Sequence, residues 1–416
     1  MRHDLKSITG AYLCHAIKEK MNKKQFNAFR VKEALQYRAK SMTELAQEIG
    51  VSKQAMSQYV NGESVPKYEN ILKIAYALQF PYEYFMSEDY CSTVTGKTYF
   101  RSLASATKKL RNSQKIKLEY ATKLYNVLLD YVDFPDLNLP DVISYDDYSA
   151  EMEQFEYMEG IARNVRKCWG LGTGPIENFQ YVLEKNGIIV TGFNGVDNKI
   201  DAFSQIVTTK DKKKSYIIAL ALGEKSQERL LFDLAHELGH ILLHTWGEDE
   251  EDLSKEEFNK QERQANMFAS ALLLPRESFS ESIKPYPLEL EHYIQLKKKW
   301  HVSMQAMMYR ACQLDVITAN QFQYLMRKVS AKGWRKWEPG DNRGKLNSTI
   351  FQGAIDLLVE GKYLTVRELI KSFEEYGMYL RVEDLEDLMG LKKDTLTEEK
   401  IDTAVIKLKT KNESFS

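Results

Sequence analysis

The sequence predicts an α+β fold, predominantly helical, and three observations carry that expectation. Helical spacing of apolar residues recurs along most of the 416-residue chain. Three short runs with strand character stand close together at 188–193, 202–208 and 216–222. A long apolar helical pattern follows the third run directly and carries two histidines four apart. At about 150 residues per domain, the length suits two or three domains. The expected order is a five-helix unit at 21–90, a helical connector at 91–150, a unit with a small β-sheet at 151–285, a short helical element at 286–340 and a helical C-terminal module at 341–416.

Charge is balanced at a formal net −1, so no global field draws the chain to nucleic acid or membrane. Locally the pattern is uneven. Lys97, Arg101, Lys108, Lys109, Arg111, Lys115 and Lys117 run without an acid between them, and residues 133–159 contain no Lys or Arg. The cysteines Cys14, Cys91, Cys168 and Cys312 form no CxxC pair and read as free thiols. No apolar run approaches the roughly 18 residues of a membrane span. Lys6, His15, Lys18, Glu19 and Lys20 interrupt any signal-peptide core. A cytoplasmic protein is the expectation. Residues 1–20 carry no readable motif, and Met21 could serve as an alternative start.

The first unit opens with a helix expected over 25–39, with Phe26, Phe29 and Leu35 among its apolar positions. Ser41-Met42-Thr43-Glu44 is a capping box that starts a short helix through Leu45, Ala46 and Ile49. Gly50 supplies a left-handed turn, and Ser52 caps a second short helix that ends at Asn61-Gly62. Ile71, Leu72, Ile74, Ala75 and Leu78 mark a further helix after Pro66. Two short helices joined by a glycine turn are the parts of a helix-turn-helix. Ala55, Met56 and Tyr59 are expected to face the core. Lys53, Gln54, Ser57 and Gln58 then point outward at the end suited to a major groove. The stretch ELAQEIGVSKQAMSQYVNGESVP resembles the XRE family of phage-repressor-like domains. That resemblance implies Lys53, Gln54 and Gln58 on bases, Asn61 near a phosphate, and a double-stranded DNA operator as partner. Met42 stands where the family usually has a phosphate-binding Gln. A homodimer is compatible with this reading.

The connector is expected to hold one long helix over 100–131, basic in its first half. Leu103, Leu110, Leu118, Leu124, Val127 and Leu128 supply its apolar positions, and Pro135 and Pro140 punctuate the acidic stretch beyond.

Helices are expected over 161–169 and 175–185, followed by the three strands, with Asn194-Gly195 as a tight turn between the first two. Ser226 is expected to cap the long helix and Gly247 to follow its end. His236-Glu237-Leu238-Gly239-His240 puts two imidazoles on one face, one turn apart, able to meet one ion. Glu237 can reach a water on that ion and take its proton. The surrounding leucines make this helix apolar almost all round, and buried histidines and a glutamate are costly unless something binds them. His244 is another turn along. Eight residues rise about 12 Å, too far for three rings to converge, so His244 is read as a support behind the ligands. Glu262, on a second helix over 256–274, is the better third ligand, since Ala265 and Ala269 permit close approach. Carboxylates at 248–252 read as solvated.

DAFS at 201–204, FDLAHELGHILLH at 232–244 and ERQANMFASALLLP at 262–275 resemble the ImmA/IrrE family of metallopeptidases, here behind an XRE domain. YFRSLASATKK, GPIEN and LKKKWHVSMQAMMYRA extend the likeness over about 101–339. The resemblance implies a zincin-like domain with Zn2+ held by His236, His240 and Glu262 and Glu237 as general base. It also implies endopeptidase action on a repressor-type protein in mobile-element or stress control. The alternatives are a non-proteolytic XRE-type regulator, or an antitoxin, whose metal fold serves as sensor or scaffold. An edge strand of the sheet could hold an extended substrate. For the oxyanion, His292 and His301 are candidates by type alone.

Val302-Ser303-Met304-Gln305-Ala306-Met307 echoes Val51-Ser52-Lys53-Gln54-Ala55-Met56, with His301 at the turn position of Gly50. This suggests a second helix-turn-helix-like element with a structural or protein-contact role. Lys297 replaces the small Ala46 there. Trp334, Trp337 and Pro339 mark a join, and the tail over 349–408 reads as short helices without a ligand cluster.

Overall fold

The computed structural model describes residues 26–88, 94–100, 108–141, 151–193, 202–222, 225–244, 254–342, 344 and 348–397. In the first unit, α1 (Ala28–Tyr37), α2 (Met42–Ile49), α3 (Lys53–Asn61) and α4 (Tyr68–Leu78) are closed by a 3-10 turn at Tyr82–Met86. The caps are local and form as their chemistry dictates. Ser41 and Glu44 make the reciprocal capping box, Ser52 accepts from the Ala55 amide, and Gly50 and Gly62 adopt φ near +74°. Met56 and Val60 are buried, while Ala55 and Tyr59 are half-buried. Phe29 is not a core residue. It is 60 % exposed, because α1 turns Val31, Ala34 and Leu35 inward instead.

The helix expected over 100–131 is described from Lys108, and residues 101–107 lie outside the described residues. Phe100 closes a strand, β1 (Val94–Phe100), and α5 spans Lys108–Leu128. The segment at 91–150 is therefore not a purely helical connector. Strands β2 (Ile188–Phe193), β3 (Ala202–Thr208) and β4 (Lys214–Ala221) complete a sheet of order β1-β3-β4-β2. β1 and β3 pair antiparallel, as do β3 and β4, whereas β2 runs parallel to β4. β4 stands between β2 and β3, so those two strands do not pair; Asn194-Gly195, expected as a tight turn between them, lies outside the described residues. The parallel β2–β4 register is what separates them.

Alternation along the strands gives the sheet two apolar faces. Ile188, Val190, Ala202, Ile218 and Leu220 face a layer formed by α6 (Glu151–Cys168), α7 (Phe179–Lys185), α8 (Gln227–Leu243) and α9 (Lys255–Leu273). That layer continues through α10 (Arg276–Ile283), α11 (Leu290–Trp300), α12 (Met304–Gln313) and α13 (Ala319–Ala331). Ile189, Phe203, Val207, Ile217 and Ala219 face α5 and the C-terminal helices α14 (Thr349–Val359), α15 (Val366–Glu375) and α16 (Val382–Met389).

The same second core includes the first unit, and the tail packs against the N-terminal helices, α5 and the sheet. Arg38 clasps Asp384 with both terminal nitrogens, at 2.7 and 2.5 Å. Buried Arg30 donates to the Gly377 carbonyl at 2.9 Å and to Glu33 at 3.0 Å. Paired, part-buried charges of this kind contribute more than surface pairs, because water screens them less.

Candidate metal centre

Helix α8 starts without the expected side-chain cap. Ser226 occupies the N-cap but makes no cap hydrogen bond, and the Gln227 amide is instead held by the Asn342 carbonyl at 3.2 Å. The helix ends at Leu243 with His244 as its C-cap, and Gly247, expected just beyond it, lies outside the described residues. Along α8, Leu230, Leu231, Leu234, Leu238 and Ile241 are buried, and so are His236, Glu237 and His240 at 0 % exposure. Helix α9 crosses close to it. A Cβ on Gly239 would lie 3.1 Å from Ala265 Cα and from Phe268 Cδ1, so glycine on one helix and alanine on the other permit the approach. That contact brings Glu262 to the paired rings.

His236 Nε2 and His240 Nε2 are 2.8 Å apart. Glu262 Oε1 lies 3.6 Å from the first and 3.2 Å from the second. Behind the rings, His236 Nδ1 meets Asn266 Oδ1 at 3.0 Å and His240 Nδ1 meets His244 Nδ1 at 2.9 Å. His244 Nε2 in turn meets Gln264 Oε1 at 3.2 Å. Burial foremost, then His240, holds the His244 imidazole down at about 3, so it is neutral near pH 7. A neutral His244 that donates through Nε2 to Gln264 accepts at Nδ1 from His240. With Asn266 accepting from His236, both metal-facing Nε2 atoms carry lone pairs.

The donor set tests well for a divalent ion. Two imidazole nitrogens and one carboxylate oxygen lie within 4.8 Å of one another. Two nitrogens and one oxygen are the donors of a catalytic zinc site with a position left open. The Glu237 and Glu262 carboxylates add negative charge to an enclosed site, which a dication offsets. Glu237 Oε2 accepts from the Ser204 hydroxyl at 2.7 Å, across from β3.

All three ligand candidates are thus brought together, and His244 stands behind His240. Ser204, Asn266 and Gln264 were not singled out from sequence as site residues. Ser204 lay within the DAFS stretch, and Asn266 sits one turn beyond Glu262, so helical spacing could have found it. His292 bonds the Ser282 carbonyl and His301 sits beside Glu177, so neither serves this centre. His301 does adopt the left-handed turn expected of it, with φ 54°. The carboxylates at 248–252 and Asp201 lie outside the described residues.

On the first unit, Lys53, Gln54 and Asn61 are exposed and Ser57 and Gln58 half-buried, with Asn61 donating to Ser57 at 3.4 Å. Among the described residues, no helix is long and apolar enough to cross a membrane. Residues 188–311 match the family described as the IrrE N-terminal-like domain. Residues 31–85 match a helix-turn-helix family. No curated protein matches the chain.

Proposed function

We propose, for a chain that joins an N-terminal helix-turn-helix to an IrrE-like metallopeptidase domain, a DNA-binding transcription regulator that is also a zinc-dependent endopeptidase. The observation that carries it is the convergence of His236, His240 and Glu262 with Glu237 beside them and held by Ser204. A bound zinc ion supplies polarisation of a scissile carbonyl and a water of near-neutral pKa. His236, His240 and Glu262 hold that ion, with Asn266, His244 and Gln264 keeping the ring protons on the far side. Glu237 accepts the proton of the attacking water and delivers it to the leaving amine. Ser204 fixes the plane of the carboxylate. A metal-sensing scaffold has no use for Glu237 or its hydroxyl partner, which favours the peptidase over the sensor or antitoxin reading.

The substrate class is a repressor-type DNA-binding protein, following the resemblance that the motifs carry. The purified chain is expected to contain about one zinc ion per chain, as a three-ligand site requires. It is expected to cut such a protein until a chelator is added. Metal analysis with mapping of cleavage products checks this. A metal-free chain, or an uncut substrate at full zinc loading, defeats the reading.

For the DNA-binding unit, Lys53, Gln54, Ser57 and Gln58 meet base edges and Asn61 a phosphate. Each base contact carries about 1–3 kcal/mol of discrimination. Lys53→Ala with Gln54→Ala is therefore expected to lower operator affinity by about tenfold or more, with non-specific binding less affected. Titration against operator and scrambled duplexes at fixed salt measures both.

A further inference from the structure

We propose that a pocket behind His236, walled by α8, α9 and α12, binds a small organic acid with an apolar body, and that its occupancy tunes the metal centre through Asn266. The pocket stands on its own geometry. Its influence on the ion rests on the metal-centre reading above.

Phe232, one turn before His236 on α8, meets Met267 of α9 and Ala306 and Tyr309 of α12 around a cavity of about 340 Å³. That is the size of a small-molecule site. Phe232, Met267 and Ala306 are half-buried, and Tyr309 is exposed. Phe322 meets the Tyr309 ring edge-on, with centroids 6.0 Å apart, and so fixes it at the rim. The walls thus keep apolar surface in contact with water, and an apolar body that covers them is favoured.

The polar groups of the same cavity select the other end of the ligand. Arg263, one turn before Met267, lines it, is exposed, and has no ion-pair or hydrogen-bond partner among the described residues. Asn266 lines it as well. Its Oδ1 accepts from His236 Nδ1 at 3.0 Å, and its two amide hydrogens meet no acceptor among the described residues. No Asp or Glu lines the cavity. A permanent cation beside a free amide donor suits a carboxylate, which accepts at both oxygens.

Asn266 joins this pocket to the ion. A carboxylate that accepts from its Nδ2 polarises the amide and makes Oδ1 a stronger acceptor. The His236 ring is then held more firmly with its proton on Nδ1, and Nε2 becomes a more basic ligand. Asn266 is a positioning residue here, since it touches the acid and the ring but not the ion. Acid and zinc therefore favour each other, by the same factor in both directions.

The test uses the full chain, zinc-loaded and metal-free. The probe is 3-phenylpropanoate, with 3-phenylpropanamide as its neutral counterpart, and calorimetry reads binding. The acid is expected to bind about tenfold tighter than the amide, the difference between a charged and a neutral hydrogen-bonded contact. Arg263→Gln is expected to remove that preference. Ala306→Phe fills the cavity from α12 and is expected to weaken both compounds by about tenfold or more, as steric exclusion from a close-packed site requires. Arg263 is exposed, so its variant decides the matter even if Ala306→Phe does not fold. Zinc affinity, read by competition with a chromophoric chelator, is expected to rise about fivefold in saturating acid, the low end of couplings between sites. Acid and amide binding alike, or acid affinity unchanged in both variants, overturns the pocket. Acid binding as described with zinc affinity unmoved leaves the pocket standing and overturns the coupling. A chain that never takes up zinc removes the metal-centre reading, and acid binding to that metal-free chain still decides the pocket.

Discussion

Glu237→Gln is expected to lower peptide turnover by about 10²–10⁴-fold while leaving zinc content unchanged. That range is the usual worth of a positioned general base. Glutamine keeps the size and the ability to meet the Ser204 hydroxyl, which lies 2.7 Å from the carboxylate. It cannot accept a proton from water or return one to the leaving amine. His236, His240 and Glu262 are untouched, so the donor set of the ion is intact. Initial rates on a mapped substrate, with metal measured on the same preparation, check the prediction. Retained turnover at full zinc loading would remove Glu237 from its role. Loss of zinc together with turnover would make it a structural residue of the site.

Lys297→Met is expected to destabilise the fold by about 3–5 kcal/mol, the cost of removing one partner from a buried ion pair. Lys297 replaces the small Ala46 of the first helix-turn-helix, and the structure explains what it does there. Its ammonium is buried beside Glu338 at 3.3 Å, with Asp341 in direct contact and Glu228 at 3.8 Å. The side chains of Lys297, Glu338 and Asp341 are all within 3 % exposure. Glu338 also accepts from the Met304 and Gln305 amides, capping α12 from outside the helix, at 2.7 and 3.1 Å. Methionine fills similar volume, so the cavity term is small and the loss reports the charge. Glu338, Asp341 and Glu228 would then share the pocket without their cation. Denaturant unfolding measures the change. Adding Glu338→Gln and Asp341→Asn to Lys297→Met should recover much of it, since the two most buried carboxylates are then neutral and only Glu228 keeps its charge. A shift under about 1 kcal/mol for Lys297→Met would show that the cluster is solvated and structurally minor.

This cluster also illustrates what the sequence made legible. The echo of residues 51–56 at 302–307 and the left-handed His301 are features of a few neighbouring positions, and both appear as expected. The need for altered packing at Lys297 was readable too, since a lysine cannot occupy the place of an alanine. Its partners were not, because Glu338 and Asp341 lie some forty residues away. The metal centre divides the same way. His236, Glu237 and His240 follow from spacing on one helix. Glu262 followed from the small residues of the next. Ser204 needed the sheet, and the tautomer chain through His244 and Gln264 needed side-chain placement.

By itself the sequence determined most of the helices, the caps at Ser41 and Ser52, the turns at Gly50 and Gly62, the strand segments within 188–222 and the paired imidazoles. These depend on backbone preferences and on side chains within about four positions, where the chain supplies its own neighbours. Only the tertiary structure decided that β2 lies parallel to β4, that β1 covers β3, and that the C-terminal helices share one core with the helix-turn-helix unit and the sheet. Strand order and face-to-face packing rest on contacts between residues tens to hundreds apart. Their pairing is chosen by which edges and apolar faces fit together, and period alone carries no record of that choice.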